Sequence, residues 1–273
     1  MTEVSINEIN DSHSKLVGES QLVILLNTAN GIKSVSKKLA SLQGVKRIMK
    51  GTFILPEITD TRIEILESQP TVSFIKTREI PNISKKTEDI YSELVYSIVA
   101  FRFKNPTAQQ KKYVERLIKR TTGVRLRPGV VLFPILKSKQ QRRIIGSEEE
   151  RVLLTSSEFF RRLSKKGVNV YRWSRLRTTT IDSSAYIKDA IEHTLERDLV
   201  ALEERIRRLR ERCKEPNVEV VQLKKSYSVL SRRFRKLKGK WMVAKKIWYY
   251  DTKKPLKRTY NMLISTRRMI SAL

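Results

Sequence analysis

Lys50-Gly51-Thr52-Phe53-Ile54-Leu55-Pro56 and Pro128-Gly129-Val130-Val131-Leu132-Phe133-Pro134 place a glycine and a closing proline at the same spacing around a β-prone apolar run. The glycine supplies the positive φ of a tight hairpin, and a proline at a strand end stops the hydrogen-bond ladder. Each stretch therefore reads as the returning arm of a hairpin, and the chain contains that hairpin twice. The match extends outward. Gly44-Val45 corresponds to Gly123-Val124, and Val72-Ser73-Phe74-Ile75-Lys76 corresponds to Val168-Asn169-Val170-Tyr171-Arg172.

Around the first hairpin, Gln21–Leu26 is strand-like, and Ile32, Val35, Leu39 and Leu42 recur at helical spacing. Asp60–Ser68 follows as a short helix and Thr71–Ile80 as a strand. Around the second, Ser97–Lys104 reads as strand, Thr107–Thr121 as helix, Ser156–Lys166 as helix and Val168–Arg177 as strand. The order βαββαβ thus occurs twice, which predicts an α+β chain of tandem ferredoxin-like modules over 20–82 and 95–178, joined by the polar segment Pro81–Glu88. Residues 1–19 read as a flexible tail with neither a basic start nor an apolar h-region.

Residues 183–273 change character and predict an all-α basic helical region. Ser184–Lys214 carries Ile187, Ile191, Leu195, Leu199, Leu202, Ile206, Leu209 and Cys213 at steps of three or four, one long amphipathic helix with charges of both signs. Glu215-Pro216-Asn217 breaks it. Val220, Leu223, Tyr227, Leu230, Phe234, Leu237 and Trp241 then form a second seam, and the short connection predicts an antiparallel hairpin. After Asp251-Thr252, Pro255 opens a last helix to which Leu256, Tyr260, Leu263 and Ile270 give an apolar side.

The 57 Lys and Arg against 28 Asp and Glu leave a formal charge of +29 on 273 residues. With 40% hydrophobic residues the chain is a folded protein and not a disordered basic tail, so ordered elements must present this charge. Nucleic acid is the expected partner. One cysteine excludes an internal disulfide and points to a reducing compartment. No apolar run reaches the ~20 residues of a membrane span, and the expected location is cytoplasmic, at a nucleoid or a ribosome.

The charge is unevenly placed. Asp189, Glu192, Glu196, Asp198, Glu203, Glu204 and Glu211 balance the first long helix, which reads as a strut. Beyond it, Lys224, Lys225, Arg232, Arg233, Arg235, Lys236, Lys238, Lys240, Lys245, Lys246, Lys253, Lys254, Lys257 and Arg258 face a single acid, Asp251. These bases are the expected phosphate contacts. Trp248, Tyr249 and Tyr250, interleaved with lysines, are candidates for stacking on bases, whereas Trp241 continues the seam and is expected in the core. In the second module, alternation puts Arg125 and Arg127 on one strand face, read as the open face of the sheet; Arg142 and Arg143 belong to a loop expected to touch phosphate.

The pattern Gly123-Val124-Arg125-Leu126-Arg127-Pro128-Gly129-Val130-Val131-Leu132-Phe133-Pro134, preceded by a strand and a helix, resembles the ferredoxin-like segment shared by ChrB chromate-response proteins, PaaX-type repressors and the small ferredoxin-fold nucleases of CRISPR adaptation. The stretch with Leu237, Trp241 and Trp248-Tyr249-Tyr250-Asp251 is similar to the helices that follow it in the ChrB group. The resemblance spans residues 97 to 273 and implies work on nucleic acid, as a regulator. Two departures restrict it. The nucleases carry a catalytic Asp near the end of the first strand, and neither Ser97–Asn105 nor Gln21–Asn30 contains an acid; the N-terminal half is a second copy of the module where the repressors have a winged helix.

Catalytic patterns are absent from the sequence. His13 and His193 stand alone, no GxxxxGK[ST], GxGxxG, GxSxG or HExxH occurs, and neither a cofactor nor a metal site is expected. The expected function is therefore non-enzymatic binding of nucleic acid, either DNA in a chromatin or transcription-regulatory role or structured RNA such as a ribosomal subunit. Two readings of other classes stand beside it: a nucleic-acid-processing enzyme whose acids meet only in the fold, and a protein–protein adaptor whose seams pair between two copies as a homodimer.

Overall fold

The computed structural model describes residues 15–16, 18–26, 32–56, 60–80, 90–137, 153–216, 218–250 and 253–273. Most of the expected tail, the linker Pro81–Glu88, Arg142 and Arg143 with their loop, and Asp251-Thr252 lie outside the described residues. The chain divides into two compact units, Met1–Ala190 and Ile191–Leu273.

The first unit runs β1 (Gln21–Leu25), α1 (Ile32–Ser41), β2 (Lys46–Met49), β3 (Thr52–Leu55), α2 (Asp60–Glu67), β4 (Thr71–Lys76), α3 (Ile90–Glu93), β5 (Tyr96–Arg102), α4 (Ala108–Lys119), β6 (Val124–Arg127), β7 (Val130–Pro134), α5 (Ser156–Ser164) and β8 (Asn169–Thr178). Its strands form one eight-stranded antiparallel sheet in the order β2-β3-β1-β4-β8-β5-β7-β6. Within each half the first strand is central, flanked by the third and the fourth. The halves join where β4 pairs with β8, Phe74 opposite Thr178 and Lys76 opposite Leu176.

Local chemistry accounts for the element boundaries. Thr107 and Thr155 each cap a helix reciprocally, their hydroxyls accepting from the N–H of Gln110 and Glu158 while those side chains accept from the cap N–H. Gly51 and Gly129 turn their hairpins at φ +67° and +82°, and their carbonyls accept from the N–H of Leu25 and Phe101 at 2.9 and 2.8 Å. The same turn thus docks on the same strand in both copies. The short helix α3, which periodicity does not announce, is tied to β5 by the Tyr96 hydroxyl donating to the Tyr91 carbonyl at 2.5 Å.

The repeat extends to the core. Val23, Leu25, Phe53 and Leu55 pack with Val35 and Leu39 of α1, and their counterparts Val99, Phe101, Val131 and Phe133 pack with Val114 and Leu117 of α4 and Phe159 and Leu163 of α5. The alternate residues Leu22, Ile24, Phe74, Ile98 and Leu132 are also fully buried, so the central strands have apolar residues on both faces.

Helix α6 (Ile181–Arg212) starts in the first unit, where Thr180 Oγ1 accepts from the Ser183 N–H and Ser183 Oγ accepts from the N–H of Ser73 in β4. The second unit contains most of α6 with α7 (Val220–Trp248) and α8 (Lys253–Ser271). Leu202, Ile206, Leu209 and Cys213 of α6 share a core with Leu223, Leu230 and Phe234 of α7 and Leu263 and Ile270 of α8. Asp198 lies opposite Lys240, whereas Cys213 and Leu223 flank the turn, so α6 and α7 run antiparallel. Among the described residues no helix is long and apolar enough to cross a membrane.

Candidate nucleic-acid interface

Helix α7 separates its two kinds of residue cleanly. Leu223, Tyr227, Leu230, Phe234, Leu237, Trp241, Ala244 and Trp248 alternate steps of four and three and turn inward, with Trp241 and Trp248 at 0% and 1% exposure. Lys224, Lys225, Arg232, Arg233, Arg235, Lys236, Lys238, Lys245 and Lys246 are exposed, and α7 contains no acid. Like charges at i,i+3 and i,i+4, such as Arg232 with Arg235 and Lys236, weaken a helix. The apolar seam must offset that repulsion here.

Lys240 differs from its neighbours. It is mostly buried and its Nζ stands 3.9 Å from Asp198 on α6, so the strut helix draws it inward. Glu204 serves α6 itself, accepting from Arg207 and Arg208. Little acidic surface remains to neutralise α7.

On α8, Lys254 and Lys257 are exposed, and the side chain of Lys253 lies outside the described residues. Arg258 reaches back to α6, where its Nε and Nη2 donate to Glu203 at 3.0 and 2.8 Å while Thr259 Oγ1 donates to the same carboxylate at 2.6 Å. Glu203 is buried and the Arg258 side chain is 64% exposed, so this pair anchors α8 and still shows its cation to solvent. Glu203 raises the Arg258 guanidinium above its ordinary value. Two exposed bases near the C-terminus, Arg267 and Arg268, extend the basic surface of α8 beyond the residues that the sequence singled out.

The expected aromatic platform is not at Trp248-Tyr249-Tyr250. Trp248 is core, Tyr249 is half-buried in the left-handed conformation (φ 54°) that ends α7, and the Tyr250 hydroxyl donates to Glu196 at 3.3 Å. The exposed ring belongs to Tyr260, assigned by periodicity to the apolar side of α8. It is 52% exposed and stacks on Phe234 with centroids 5.9 Å apart and planes 25° off parallel. Helical spacing placed Tyr260 near the seam; only the position of Phe234 shows that the ring covers the seam from outside.

The expectation for Arg125 and Arg127 is also corrected. A β-bulge lies between them: Arg125 opposes Val131 and Arg127 opposes Val130, adjacent residues on β7 whose side chains leave opposite faces. Arg125 donates to Glu115 of α4 at 2.6 Å and is only 25% exposed. Arg127 is buried, and its Nη1 donates to the carbonyl oxygens of Leu25 and Gly51 in the first copy at 2.6 and 3.1 Å. Burial pushes its guanidinium below the ordinary value. The expected open sheet face is closed over the central strands, and neither arginine belongs to a free basic surface.

What the structure brings together is thus the exposed bases of α7, those of α8, and Tyr260. Among the described residues no three His, Cys, Asp or Glu side chains group to hold a metal ion. Compared with family models, curated proteins and solved structures, the chain matches none.

Proposed function

We propose that this chain is a nucleic-acid-binding protein that holds a phosphate backbone on α7 and α8. The observation that carries the reading is the one-signed, exposed basic surface of α7, built on a helix whose seam is packed and which has no acid of its own. A solvated face for solubility needs charge but not this imbalance on an ordered helix; a polyanion relieves the repulsion, and each phosphate that meets a base releases counterions. The two βαββαβ halves, each with its first strand between the third and fourth, are read as ferredoxin-like modules that form the body. The protein acts by binding and not by catalysis, since Glu203 and Glu204 of α6 are engaged by arginines.

A backbone grip positions a nucleic acid without reading its sequence, and phosphates are common to DNA and RNA. The regulatory role implied by the resemblance to the ChrB and PaaX-type groups is kept as part of this proposal, with RNA binding beside it. Replacing Arg232, Arg233, Arg235 and Lys236 by Gln tests the grip. The dependence of log affinity on log salt for a DNA duplex should flatten by about 0.9 for each phosphate that the variant no longer neutralises, with the fold intact by circular dichroism. An unchanged slope would place the interface elsewhere.

A further inference from the structure

We propose that Tyr260 is a stacking platform for an unpaired base of the bound strand, an inference that rests on the phosphate grip proposed above. The ring is fixed, not merely exposed: Phe234, itself buried, lies against one face, and the 52% exposure of Tyr260 leaves the other to solvent. A ring held flat against a packed seam loses little freedom when a second flat ring covers it.

The surroundings select the occupant. Lys257 and Arg267 lie three residues before and seven after Tyr260, on the same side of α8, and both are exposed. Lys238, one turn beyond Phe234 on α7, is exposed as well. A cationic ligand for the ring face would meet this positive field, whereas a nucleotide brings a phosphate for the bases and a π-face for the ring. In a duplex the base faces are covered by their neighbours and only the edges reach the grooves. The platform therefore fits a single strand, a loop or a splayed-out base.

Titrating a labelled oligo(dT) strand and a duplex of equal length at the same salt tests this, with wild type, Tyr260→Phe and Tyr260→Leu. Leu keeps an apolar side chain over Phe234, and a thermal melt checks that the fold survives. Tyr260→Leu should weaken strand binding by roughly 5- to 150-fold, the range expected for removing one base stack, while leaving duplex binding and both salt slopes unchanged. Tyr260→Phe should bind as wild type does. A fluorescent purine analogue within the strand should be quenched on wild-type binding, and less by Tyr260→Leu.

Equal weakening of strand and duplex, or none in either, would overturn the platform while leaving the grip in place. If the wild type binds neither probe with a salt-dependent slope, both proposals fall.

Discussion

Arg127 stands directly over Gly51: its Nη1 donates to the Gly51 carbonyl oxygen at 3.1 Å, and a Cβ added to that glycine would overlap the same nitrogen. In the sheet order β6 is five strands from β1 and six from β3. At about 4.8 Å per strand a flat sheet would hold Arg127 and Leu25 about 24 Å apart, far beyond the reach of a side chain, so the sheet must coil strongly to let them bond. The internal repeat explains the site. Both copies carry a bulge two residues before the turn glycine, and the position of Arg127 is that of Met49 in the first copy, equally buried.

Arg127→Met should therefore change stability by less than about 1.5 kcal/mol, because losing two hydrogen bonds is offset by no longer desolvating a cation. Gly51→Ala should destabilise much more, since it combines a positive φ with the overlap. Part of that penalty depends on the guanidinium, so in urea unfolding the double variant should be less destabilised than the sum of the singles by about 1 kcal/mol or more. Strict additivity would show that the two residues do not touch. Nucleic-acid affinity should be unaffected by Arg127→Met; a loss would return Arg127 to the interface.

Glu203 accepts three hydrogen bonds from α8 within the packed three-helix unit. Glu203→Gln removes the charge and at least one acceptor position, and should cost about 1–3 kcal/mol, moderated by the exposure of Arg258. Denaturant unfolding monitored by circular dichroism measures it. Arg258→Ala should cost a comparable amount while also removing a basic group from α8. If Glu203→Gln unfolds at the wild-type midpoint, α8 is not anchored through this carboxylate.

Gly239 sits within α7 among Arg235, Lys236, Lys238 and Lys240, and a Cβ added there would meet no atom within 4 Å. Gly239→Ala should stabilise the protein by about 0.5–1 kcal/mol through helix propensity alone. A thermal melt reads the shift. A lower melting temperature would mean that the surface of α7 at this point is covered and not open.

Cys213 is buried in the core of the three helices, and desolvation raises its thiol pKa, against a smaller opposing pull from Arg212 and Arg210. An acid whose folded pKa lies above its unfolded value favours the native state at low pH. Its contribution is complete below the unfolded value, near 9.0, and is lost as pH rises from there through the folded value. Cys213→Ala should lose less stability than wild type between pH 8 and pH 10, both compared with their own values at pH 7. Alkylation of the native thiol should be at least about tenfold slower than in the denatured chain; equal rates would show that the thiol is open.

Much of the fold is written locally. The alternation of strand and helix, the turn glycines, the reciprocal threonine caps and the heptad seam of α7 each depend on neighbours within a few residues, so the residues themselves carry the signal. The bulk of the basic surface was legible for the same reason. On a helix whose apolar seam is known, the charged residues must face outward.

Other features depend on residues far apart in the chain, and only the tertiary structure decided them. The joining of β4 to β8 uses backbone groups that every residue possesses, so no side chain announces that the two copies share one sheet. A bulge adds one residue to a strand and reverses the faces beyond it, which moved Arg127 from an expected binding surface to a bond with Gly51. Aromatic rings are suited equally to a core and to a binding face. Whether Trp248 packs inward and Tyr260 lies outward on Phe234 follows from which side of each helix meets another, and that is set by contacts more than twenty residues apart.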